Sequence, residues 1–123
     1  MRELLPPIII FAAGYTPNIS EFNWMKNKLK KRGIPFKYLQ GHWQGSNEYT
    51  FLTHARHAIE IQKLLVRAGQ SFYIYADEDR NAELWNSHGV KMRDLGELKV
   101  VDKPKTDCYT TDPDTGNIWE ASN

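Results

Sequence analysis

The run Ile8-Ile9-Ile10-Phe11-Ala12-Ala13 constrains this chain more than any other segment. It follows the proline pair Pro6-Pro7 and carries no polar residue. A short, continuous apolar run of this kind fits a central strand buried on both faces. Gly14-Tyr15-Thr16-Pro17-Asn18 then reads as a turn. Asn18 with Glu21 three residues later predicts a capping box, with asparagine in place of serine or threonine. Phe22, Met25 and Leu29 fall at i, i+3 and i+7, the apolar face of a helix that Gly33 and Pro35 end.

Phe36 to Gly41 and Glu48 to Leu52 read as two strands joined by a glycine-containing turn. Thr53 is the expected N-cap of a second helix. Its buried stripe is Ala58, Ile61, Leu65 and Ala68, and Gly69 stops it. Ser71 to Ala76 is a strand with Phe72, Ile74 and Ala76 on one face and Tyr73 and Tyr75 on the other. After the polar connection Asp77 to Asn81, the segments Ala82 to Trp85 and Val90 to Met92 predict a hairpin around Asn86-Ser87-His88-Gly89. Leu95 to Val101 is a further strand, and Pro104 argues against its continuing. Cys108 to Thr110 and Asn117 to Trp119 flank Asp112-Pro113-Asp114-Thr115-Gly116, a strong hairpin signal.

The order is therefore β-α-β-β-α-β followed by small β additions. It predicts an α+β fold, a single ferredoxin-like domain over residues 1–123. In that sandwich two helices cover one face of an antiparallel sheet, and a C-terminal β-hairpin is appended. The other sheet face lacks cover, and Tyr73 and Tyr75 are expected to point that way. An apolar open face predicts a homo-oligomer.

Composition sets outer bounds. A chain of 123 residues suggests one domain, long enough to bury a core without disulfides. The formal net charge of +1 lacks the electrostatic footprint of a nucleic-acid binder. The basic run from Lys26 to Arg32 lies at the end of a predicted helix, where it complements the negative end of the dipole. Cys108 is the only cysteine, so no intrachain disulfide and no multi-cysteine zinc site is expected. The prolines and the shortness of the apolar run argue against a signal peptide, and no segment is long enough to span a bilayer. A cytoplasmic protein is the simplest reading.

Few motifs carry chemistry. His54 and His57, at i and i+3, would orient two metal ligands, but no third follows by spacing and HExxH is absent. No GxSxG elbow, GxGxxG or Walker loop is present. Asp112 and Asp114 lack the spacing of a calcium loop. Three clusters remain. Ala12 to Tyr15 offers small residues at a strand end, for close approach of a ligand or simply for a tight turn. Gly41 to Glu48 places Trp43, Glu48 and Tyr49 around a Gly-Ser-Asn turn. A carboxylate flanked by aromatic faces suits a small organic cation, and a charged hairpin edge is the plainer role. Asp77 to Glu83 is a third acidic stretch, or a solvated turn.

The strand end Phe11-Ala12-Ala13-Gly14-Tyr15, the turn Gly41-His42-Trp43, the strand Glu48-Tyr49-Thr50-Phe51 and the closing pair Asp107 to Thr110 and Gly116 to Trp119 occur in this order along most of the chain. In these features the chain resembles the bacteriophage S-adenosylmethionine hydrolases, whose reaction is described as that of a lyase. Trp43 stands where that family typically has tyrosine. The resemblance implies that the substrate's own carboxylate attacks its γ-carbon, giving 5′-methylthioadenosine and homoserine lactone or homoserine. It implies no metal and no cofactor. Glu48 and Trp43 take the catalytic positions, and Ala13, Gly14, Tyr15, His42 and Glu83 bind substrate. It further implies a homotrimer in the host cytoplasm that depletes the methyl donor and counters restriction-modification. The competing expectation is a non-enzymatic oligomeric phage protein that sequesters a nucleotide-like ligand or a host protein. Trp43 in place of tyrosine favours it. A small structural phage protein is the third.

Overall fold

The computed structural model describes residues 6–15 and 18–122, with the backbone alone of Tyr15. Thr16 and Pro17 of the expected turn lie outside the described residues. The elements run β1 (Ile8–Tyr15), α1 (Ile19–Lys31), β2 (Lys37–Trp43), β3 (Ser46–His54), α2 (Ala58–Ala68), β4 (Phe72–Ala76), β5 (Asn81–Asn86), β6 (Lys91–Val101), β7 (Tyr109–Thr111) and β8 (Ile118–Ser122).

All neighbouring strands are antiparallel. Their order is β1-β3-β2-β7-β8-β6-β5-β4, and β4 pairs back onto β1. The protein is a closed eight-stranded antiparallel barrel, not a ferredoxin-like α+β sandwich. The difference lies in the second half of the chain. β6 is 11 residues long and pairs β5 on one side and β8 on the other. β7 pairs β2 through Gln40, Gly41 and His42. The C-terminal segments are staves rather than an appended hairpin. They satisfy the edges that β2 and β4 would otherwise present, and closure removes an open edge altogether.

Closure also disposes of the expected open face. That face is the barrel interior, filled by Ile8, Ile10, Leu39, Ala76, Ala82 and Leu98. Tyr73 and Tyr75 point the other way, toward the helices. Tyr73 is buried, and its hydroxyl accepts a hydrogen bond from Gln62 Nε2 of α2 at 2.8 Å. The physical argument for an oligomer therefore loses its premise, because the chain covers its own sheet.

β1 is buried on both faces, as its composition requires. Ile8 and Ile10 enter the barrel, while Ile9, Phe11 and Ala13 pack outward against Met25 and Leu29 of α1 and Ile61, Leu64 and Leu65 of α2. Two cap expectations differ. Asn18 uses its side-chain amide on Glu21 Oε1 at 2.9 Å and makes no side-chain bond to a helix amide. Thr53 stays in β3 and donates to the Pro35 carbonyl at 2.6 Å. α2 is entered through a 3₁₀ turn at Ala55–His57, where His54 Nδ1 accepts from the Arg56 amide. Gly69 does end α2, in the left-handed region at φ 72°.

The strands alternate in direction around the barrel. One end therefore collects the carboxyl ends of β1, β2, β5 and β8 and the amino ends of β3, β4, β6 and β7. The connection from β6 to β7 must return from the far end to this one. It crosses the outside of β8, tied down by the buried Glu120 carboxylate, which accepts from the Lys105 and Thr106 amides and from Thr106 Oγ1.

Candidate functional site

A cavity of about 590 Å³ opens at that collecting end. An eight-stranded barrel is the size at which side chains either fill the interior or leave room for one small ligand, and this volume lies in the range of small-molecule sites. Small and branched residues at inward positions make the space: Ile10 and Ala12 on β1, Gly41 on β2, Ile74 on β4 and Ala121 on β8. Below it lies a second cavity of about 60 Å³, sharing Ile10, Leu98, Thr110 and Trp119 with the first. There Lys37 pairs with Asp112, and the Arg80 guanidinium lies 5.1 Å from the Trp119 ring centroid.

β2 and β3 place the two residues expected to be catalytic. The strands join through Gln44 and Gly45, both at positive φ (49° and 82°). Two such central residues match the type I′ twist of a tight hairpin. The turn is thus Gln44-Gly45, and Ser46 and Asn47 already belong to β3, so the turn starts one residue earlier than the expected Gly-Ser-Asn. In this register Gly41 faces Glu48 and Trp43 faces Ser46. Trp43 and Glu48 are therefore diagonal neighbours on the same face, and both line the cavity.

Glu48 is half-buried, and burial raises its pKa above the ordinary 4.5. Among the described residues no hydrogen bond or ion pair reaches its carboxylate. The Glu48 carbonyl alone accepts, from Thr50 Oγ1 at 3.4 Å. Tyr49 points to the opposite face, against Phe22 at 5.0 Å, and does not flank the carboxylate. Across the barrel, on the diametrically opposed strand β6, Arg93 lines the same mouth.

The remaining expected site residues divide. His42 sits at the rim, its ring stacked on Tyr109 at 4.3 Å. The Tyr15 backbone pairs with Glu48, and its side chain lies outside the described residues. Ala13 is buried beneath the helices and faces away from the cavity. Gly14 follows a bulge after Ala12, and a Cβ there would lie 1.5 Å from Glu21 Oε2. Its bare backbone makes room for α1, not for a ligand. Glu83 is on the outer face, where it accepts from Trp85 Nε1 at 3.1 Å and pairs with Lys91 at 2.8 Å. Ala12, named in the small-residue cluster Ala12 to Tyr15, is among the described side chains the member of it that lines the cavity. Sequence reasoning missed Arg93 and Thr110. Thr110 had only its inward parity within a short strand, and Arg93 lay just past the expected strand Val90 to Met92.

Among the described residues no cluster of His, Cys, Asp and Glu side chains is arranged to hold a metal ion, and no helix is long and apolar enough to cross a membrane. No protein-family model matches this chain, and no curated protein matches it significantly.

Proposed function

We propose that the open end of the barrel binds S-adenosylmethionine and that the protein degrades it as a lyase. The observation that carries this reading is the half-buried Glu48 carboxylate, without a hydrogen bond or ion pair among the described residues, beside Trp43 at the mouth of a ligand-sized cavity. A carboxylate held from water without a counter-charge is a standing attraction for a cation. S-Adenosylmethionine carries two cations, an ammonium and a sulfonium. Glu48 takes the ammonium, and an aromatic face attracts a sulfonium by about 0.5–2 kcal/mol.

The substrate carboxylate, left free, attacks the γ-carbon. The carbon–sulfur bond breaks, its electron pair passes to sulfur, and 5′-methylthioadenosine departs as a neutral thioether. The attacking oxygen closes homoserine lactone. The leaving group needs no proton, so the residues' work is to fold the methionine arm into the attacking geometry, an effect of roughly 7–11 kcal/mol at its extreme. In this reading the substrate is a metabolite of the host cytoplasm, and the homotrimer implied by the resemblance is tested by light scattering.

The test is product analysis by mass spectrometry after incubation with S-adenosylmethionine. Methylthioadenosine in molar excess over protein is the expected result. Glu48→Gln should keep the fold and lower kcat/KM by about 100-fold, the loss of a charge-assisted contact. Full activity in that variant removes Glu48 from the mechanism. A second reading, sequestration without turnover, is favoured by the depth of the cavity, since closed barrels of this size hold ligands. Stoichiometric binding without product would select it.

A further inference from the structure

The polar groups of the cavity are unevenly placed. Its inward charged side chains, Glu48 and Arg93, sit at the mouth, and the Asp94 carboxylate turns outward to Lys91. Deeper in, the walls are Ile10, Ile74, Leu98 and Trp119. Two hydroxyls interrupt them, Thr50 Oγ1, which donates to the Glu48 carbonyl at 3.4 Å, and Thr110 Oγ1. Thr110 is 9% exposed, and its Oγ1 is, among the described residues, the only fully buried side-chain nitrogen or oxygen without a hydrogen-bond partner. Buried polar groups are otherwise nearly always satisfied, so an orphan in a cavity wall marks a place where a partner binds.

The register fixes where this hydroxyl stands. Glu48 faces Gly41, and Gly41 faces Thr110, so the three lie in one row across β3, β2 and β7. Gly41 puts no side chain of its own between the other two, and the Thr50 hydroxyl takes the place its Cβ would fill. Two strand spacings separate Glu48 from Thr110 by about 10 Å. The strand tilt of an eight-stranded barrel, about 40°, turns that into roughly 6 Å of depth along the axis. Thr110 also borders the lower cavity, so it is the deeper of the pair.

We infer that Thr110 is a ligand-binding residue, its hydroxyl holding the uncharged nucleoside end of the ligand at the cavity floor while Glu48 holds the cationic end at the mouth. This rests on the S-adenosylmethionine reading and adds an orientation to it. A hydroxyl both donates and accepts, so it suits a ribose hydroxyl or a ring nitrogen equally. It carries no charge to neutralise one, and the walls beside it in the larger cavity, Ile10, Ile74, Leu98 and Trp119, are apolar, so an uncharged group is favoured there.

The experiment is isothermal calorimetry with two probes, S-adenosylmethionine and 5′-methylthioadenosine, the second of which lacks the cationic arm. Thr110→Val should weaken both about 3- to 10-fold, the value of one neutral hydrogen bond. Thr110→Ser should retain both affinities, and Thr110→Ala should reproduce the loss seen with valine. Glu48→Gln should weaken S-adenosylmethionine and leave methylthioadenosine within about twofold. Unchanged affinity in both Thr110→Val and Thr110→Ala overturns the inference and leaves the substrate reading standing. Loss of S-adenosylmethionine alone in those variants overturns the orientation. A wild-type protein that binds neither probe overturns the substrate reading, and the inference with it.

Discussion

Glu48 shows how a binding residue sets its own cost. Burial raises its pKa, so folding disfavours the ionised form relative to the unfolded chain. For a group raised in the folded state, the stabilising contribution is complete below the unfolded value near 4.5 and is lost as pH rises through the folded one. Glutamine is neutral throughout. Glu48→Gln should therefore melt at a higher temperature than wild type at pH 7, and the difference should vanish near pH 3. Thermal melts at the two pH values check this. A variant that is less stable at pH 7 would mean that the carboxylate has a stabilising partner in the folded protein. The same sign governs ligand binding: a cation binds the ionised form, so affinity should rise with pH through the Glu48 titration. At this scale the sequence was informative in singling out Trp43 and Glu48, but they share a face only because the turn falls at Gln44-Gly45 and sets Gly41 opposite Glu48. It was uninformative for Ala13, Gly14 and Glu83, whose side depends on a bulge and on which face the helices cover.

At the scale of elements, the least local piece of structure is the connection of residues 102–108 across β8. Its anchor is Glu120. Burial acts to raise the Glu120 pKa, but the bonds from Thr106 and Lys105 outweigh it and hold the carboxyl below its ordinary range. The stability this confers is present above about pH 4.5 and is lost as pH falls through the folded pKa. Glu120→Ala leaves amide and hydroxyl donors without their acceptor and should cost about 3 kcal/mol in urea unfolding at pH 7. The gap to wild type should narrow at pH 3. An unchanged urea midpoint at pH 7 would show that the connection holds without its anchor. Sequence reasoning read this stretch as a polar connection, which it is. Its route was hidden, because an acidic residue just past the expected strand Asn117 to Trp119 does not announce which distant amides it will meet.

For the whole molecule, the question is whether β7 and β8 are decoration or structure. As an appended hairpin they would be dispensable. As staves they supply the only partner of β2 on one side and of β6 on one side. Ending the chain after Val101 unpairs both strands and removes Thr110, Trp119 and Ala121 from the cavity wall. Such a truncation should lose its cooperative thermal transition and its near-ultraviolet circular dichroism. A cooperative melt like that of the full chain would contradict closure. The barrel also explains how a chain of this length hides two faces of one sheet. The helices cover the outside of β1, β3 and β4, and curvature encloses the inside.

Local sequence determined most of the elements, although the expected strands Val90 to Met92 and Leu95 to Val101 are one strand, β6. Periods of two and of 3.6, the glycine stops and the turn residues depend on neighbours a few positions away, and those are legible along a chain. It also determined that β1 must be covered on both sides. What covered it was decided only in three dimensions. An inward apolar face gains the same free energy under a helix, a partner subunit or the chain's own later strands, since burial is blind to its source. The choice fell to hydrogen bonds between distant edges, β2 to β7 and β4 to β1, and edge groups carry no mark of their eventual partner. Those pairings turned an expected open sheet into a vessel, and put Thr110 beneath Glu48 within it.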